Sequence, residues 1–122
     1  MWSINILDRD HPIIELVWSG RVEPDEVGQA NEKLAECIRI IGNKPFDMLV
    51  DTSGLIAFPA ETQRLIVEQQ KWVLSMGLRR AAVVVPNNAV KTALDMTRAK
   101  SGHTEEFKFH TREDALAFLK SS

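Results

Sequence analysis

The chain has 122 residues, 44% hydrophobic and 26% charged, with a formal net charge of −2 and a pI near 5.9. That length predicts one domain, residues 1–122, able to bury roughly two thirds of its unfolded surface in a single core. The slightly acidic balance argues against nucleic acid as a partner. No apolar run approaches the ~20 residues that span a bilayer, and no leader pattern opens the chain, so a cytoplasmic protein without an integral membrane segment is expected.

Ser3 to Asp8 and Ile13 to Ser19 alternate or run apolar around an Asp10-His11-Pro12 turn signal, which predicts an opening hairpin with the first strand at a sheet edge. From Pro24 the period changes. Val27, Ala30, Leu34, Cys37, Ile38 and Ile41 fall three or four apart, a helix with Pro24, Asp25 and Glu26 suited to its first turn and Gly42-Asn43 as its stop. Cys37, the single cysteine, excludes an internal disulfide and reads as a small buried hydrophobe.

Phe46 to Val50 is the third strand, and Asp51-Thr52-Ser53-Gly54 reads as a turn after it. Pro59 to Met76 is the second helix, with Leu65, Ile66, Trp72, Val73 and Met76 as its apolar stripe. Arg79-Arg80 reads as a solvated pair near that helix's end. Ala81 to Val85 shows no alternation, the mark of a strand covered on both faces, and is expected at the centre of the sheet. A third helix is expected over 89–100, a last strand over Phe107 to His110, and a short terminal helix capped by Thr111. The order ββαβαβαβα predicts an α/β fold: an open, mostly parallel five-stranded sheet with an antiparallel first strand. Four helices are too few for a closed eight-stranded barrel.

Ligands of open α/β sheets bind beyond the carboxyl ends of the strands. Chain order brings Ser19-Gly20-Arg21, Asp51 to Gly54, Pro86-Asn87-Asn88 and His110-Thr111 to that edge. The candidate partner- or ligand-binding residues are Asp51, Thr52, Ser53, Gly54, Phe58, Glu61, Asn87, Asn88, Trp18 and Trp72. Each has a structural alternative: Asp51 can accept turn N–H groups, Asn87 or Asn88 can cap a helix, and the tryptophans can be core aromatics. There is no phosphate-binding glycine loop, no GxSxG elbow around Ser53, and no zinc-helix spacing among His11, His103 and His110. No catalytic residue, metal site or cofactor is therefore assigned.

With these elements in place, the whole chain resembles the STAS domain, the fold of bacterial anti-sigma factor antagonists. It is closer still to their small stand-alone relatives, which are also compared with CRAL-TRIO lipid-binding domains. In antagonists the third strand ends in Asp-Leu-Ser, a hydrophobic stretch follows, and Asp-Ser-Ser-Gly opens the second helix, its first serine phosphorylated by a partner kinase. Here Asp51, Ser53 and Gly54 match the first group, and Leu55 to Phe58 match the hydrophobic stretch. Aligned without gaps, Pro59, Ala60 and Glu61-Thr62 replace the second group, and alanine has no hydroxyl to phosphorylate. A slip of two places would offer Thr62, with Glu61 beside it.

The resemblance implies a non-catalytic regulatory or protein-interaction module that lacks the phosphorylatable serine and docks a partner through Asp51 to Glu61 and the second helix. The alternative is a carrier of a lipid or other small apolar ligand, with a pocket walled by Trp18, Phe58 and Trp72. A small enzyme is the third class, without a nucleophile, base and orienting group to carry it. A homodimer is also expected, through the first strand with Ile4 and Ile6 and through the broad apolar arc of the second helix.

Overall fold

The computed structural model describes residues 1–85 and 106–121. Outside that range lie the expected third helix, the Pro86-Asn87-Asn88 segment with its two candidate asparagines, and His103.

The elements are β1 (Trp2–Asp8), β2 (Ile13–Arg21), α1 (Pro24–Ile40), β3 (Phe46–Ala57), α2 (Ala60–Ser75), β4 (Leu78–Val84), β5 (Glu106–Phe109) and α3 (Arg112–Lys120). The strands form one sheet in the order β1-β2-β3-β4-β5, with β1 antiparallel to β2 and every later pair parallel. The β1–β2 turn is held by the Asp8 carboxylate, which accepts the Asp10 and His11 N–H groups at 2.9 and 3.1 Å. At the start of α1 Pro24 occupies the first turn, where no N–H partner is needed, and the Glu26 carboxylate accepts the Glu23 N–H at 2.8 Å.

Helices cover both faces of the sheet. Val27, Ala30, Leu34 and Ile38 of α1 and Ile66 and Val73 of α2 pack over Ile14, Leu16, Trp18, Met48 and Val83. On the opposite face Ala115 and Leu119 of α3 close over Ile13, Leu49, Ala82 and Val84. The alternation of β2 and β3 divides their side chains between these two cores. Cys37 is buried in the first, and that burial raises its thiol pKa.

Two expectations change. Ala81 to Val85 is covered on both faces as its composition implied, but β4 stands between β3 and β5, and β3 holds the middle. Each crossover sets the new strand directly beside the last, so the sheet grows in one direction from the hairpin. Asp51 to Gly54 is not a turn that ends the third strand. β3 continues to Ala57 because β2 continues beside it, pairing Ser19 with Gly54, Gly20 with Leu55 and Arg21 with Ala57. Register shifts after Val17 and Gly20 twist this extension, and Gly20 takes a φ of +66° there.

Candidate functional site

The β2–β3 extension and the start of α2 form the candidate surface. Pairing of β3 with β4 stops at Asp51 opposite Val84, so β3 runs on from Ser53 with β2 as its strand neighbour among the described residues. Asp51 is half-buried and its Oδ1 accepts the Ser53 N–H at 2.9 Å, the local bond expected of a turn, made here within a strand. Ser53, Gly54 and Glu61 are exposed, and Ile56, between them, is 79% exposed. Thr52, expected among the contact residues, is wholly buried. Its hydroxyl donates to the Val84 carbonyl and ties β3 to β4, leaving it no surface to offer.

Pro59 caps α2 and Ala60 is its first residue, so a methyl group stands at the helix N-terminus. Glu61 brings a carboxylate to this positive end and lies 3.8 Å from Arg64. Thr62 is fully buried and its Oγ1 donates to the Val22 carbonyl at 2.9 Å. The nearest helix hydroxyl is thus turned inward, where it anchors α2 to the segment after β2.

Beneath this surface a cavity of about 40 Å³ lies between α2 and the sheet. Trp18, Phe58, Val50 and Ile66 are on its wall, and so is Gln70, whose Oε1 is buried with no hydrogen-bond partner among the described residues. Trp72, expected on the same wall, faces the other way, into a groove between α1 and α2. Two residues beyond Gln70, about 200° further round the helix, it falls on a different stripe, and Gln69, one turn before it, borders both spaces.

Charge near Asp51 comes from an ion pair that composition did not single out. Arg112, the first residue of α3, donates from Nε to the buried Glu15 carboxylate at 2.6 Å. That bond raises the Arg112 pKa; burial opposes it, and the nearby Asp51 charge adds to it. Glu15 interrupts the apolar run IIELVW, and such a carboxylate needs a cation once the strand is buried. His110 lies exposed just past β5.

The opposite, amino-terminal edge holds a second cluster. Asp47 is fully buried and receives His11 Nε2 and Arg80 at 2.9 Å and Arg79 at 3.4 Å. Arg79-Arg80 is therefore not a solvated pair: Arg80 also donates to the Leu119 carbonyl at 3.2 Å and lies over the Phe118 ring, locking α3 to the sheet. Among the described residues no group of three or more His, Cys, Asp or Glu could hold a metal ion, and no helix is long and apolar enough to cross a membrane.

A five-stranded open sheet with this hairpin start, and a helix N-terminus facing the carboxyl edge of β3, defines a STAS-like α/β domain. The comparisons agree: the SpoIIAA-like family model matches residues 13–120, and the chain belongs to that family. Similar solved structures include the anti-sigma factor antagonist SpoIIAA in its unphosphorylated form, 11% identical over 100% of both chains with a TM-score of 0.70. Another is an uncharacterised protein of the DUF3478 family from Shewanella loihica PV-4, described as having a SpoIIAA-like fold. It is 16% identical over 97% of this chain and 93% of that one, with a TM-score of 0.75. No curated protein matches the sequence.

Proposed function

We propose that this protein is a non-catalytic regulatory module that works by docking another protein at the β2–β3 extension and the start of α2, without a phosphorylation switch. The observation that carries the reading is the state of the hydroxyls around the α2 N-terminus. Ala60 has none, and that of Thr62 is buried and donates to Val22. In its place Glu61 supplies a fixed negative charge to the helix end, so the surface has one constant electrostatic state. Ser53, Ile56 and Glu61 are the contact residues exposed to a partner.

The test is affinity capture from the source cells followed by hydrogen exchange on the complex. A partner that protects Ser53 to Glu61 supports the reading. Stoichiometric phosphate on Ser53 or Thr62 overturns the absence of a switch.

A second reading, a carrier of a small apolar ligand, is favoured by the cavity under Trp18 and Phe58 and by the Gln70 oxygen at its wall, which has no partner among the described residues. Its size weighs against it. Pockets for small molecules run about 300–1,000 Å³, and 40 Å³ admits little more than water. A ligand there requires α2 to move off the sheet. Native mass spectrometry of freshly purified protein decides between the readings, since a co-purifying acyl chain favours the carrier.

A further inference from the structure

The outer surface between α1 and α2 carries an open groove of about 420 Å³ that the docking surface above does not include. Its floor is formed by Leu65 and Trp72, two turns apart on α2, and by Ala35 of α1, all half-buried. Beside them the Gln69 amide donates to Asn31 Oδ1 at 2.6 Å, so the polar part of the floor is already satisfied. The rims end in two exposed carboxylates, Glu32 on α1 and Glu68 on α2. Glu68 lies 3.3 Å from Arg64, an exposed pair that solvent screens. Glu32 makes no ion pair or hydrogen bond among the described residues.

A half-buried indole that shares a groove with two exposed carboxylates is an attractive seat for a cation, and apolar residues beside it suit a cation carried on a long aliphatic stem. We propose that this groove docks a lysine- or arginine-bearing segment of a protein partner. The stem lies along Leu65 and Ala35, and the charged end rests over Trp72 between Glu32 and Glu68. A free small cation would leave the floor uncovered. An acidic segment would bring like charge against both rims. The inference stands apart from the proposed docking at the β2–β3 extension, because no residue of that extension lines the groove.

The test follows the indole N–H signals of Trp2, Trp18 and Trp72 by NMR while an end-blocked lysine–leucine repeat peptide is added to the full chain. The same repeat with glutamate for lysine is the control. The expected result is a saturable shift of the Trp72 signal with the lysine peptide alone, lost as salt is raised. In the double variant Glu32→Gln, Glu68→Gln binding falls by about tenfold, as expected when two exposed ionic contacts to one cation are removed. Both positions are exposed and glutamine preserves their volume, so the fold is retained. A Trp72 signal that stays still, or affinity unchanged in the double variant, overturns the proposal. So does a Trp72 shift on raising protein concentration alone, which assigns the groove to a second copy. Signals of residues 51–61 report separately on the other surface.

Discussion

Asp47 has no exposed surface, and its stability contribution depends on the cations packed around it. Burial alone would raise its pKa, but hydrogen bonds from Arg80, His11 and Arg79 outweigh that, and the carboxyl is held below its usual value of 3.8. A depressed folded pKa means stability that is complete above the unfolded value and lost as pH falls from 3.8 through the lower folded value. Asp47→Asn is therefore expected to cost about 3 kcal/mol in urea denaturation at neutral pH, because it removes the buried charge on which His11, Arg79 and Arg80 converge. The acid limb of the stability profile should also flatten in that variant. An unchanged denaturation midpoint would refute both. Thr111→Ala should cost about 1 kcal/mol by the same measurement, since the Thr111 hydroxyl accepts the Asp114 N–H at 3.1 Å. The two residues differ in legibility. The Thr111 cap is a contact three positions long and is readable from the local order Thr111-Arg112-Glu113-Asp114 alone, a Thr-x-x-acid pattern. Asp47 and Arg80 are 33 residues apart, and only the folded sheet brings them together.

At the scale of elements, β3 shows how a segment of turn composition becomes part of a strand. Asp51-Thr-Ser-Gly has turn composition, and its Asp51–Ser53 bond is a turn bond, yet β2 offers three further pairing positions that keep the chain extended. Strand pairing outweighed local preference. Gly54 sits where the two strands come close together: a Cβ placed there would lie 3.2 Å from the Ser19 Cβ. Gly54→Ala should therefore destabilise by about 1 kcal/mol through overpacking. In a double-mutant cycle with Ser19→Gly the two changes should couple favourably, and strictly additive effects would contradict the contact. Periodicity made α1 and α2 legible, including their stops. It did not show that Trp72 turns away from Trp18 and Phe58, because an arc this wide on α2 serves both the sheet and the groove. At the edge strand expected to pair with a second copy, Ile4 is buried in the core and Ile6 packs against it, and β1 stands at the sheet edge.

For the whole molecule, element order was enough to give the sheet and its family likeness, since α1, α2 and the hairpin strands have clear periods, β4 is an unbroken apolar run, and the connections among the described residues are short. Partner identity is not legible in this way, because a docking surface is assembled from residues exposed for other reasons. The central claim is a protein-docking module whose α2 N-terminus carries a constant charge. The most direct test is native mass spectrometry of the chain captured from its source cells. The account predicts a complex with a protein partner in which the chain has its unmodified mass. A chain carrying stoichiometric phosphate on Ser53 or Thr62, or one that arrives with an acyl ligand and no protein, would contradict it.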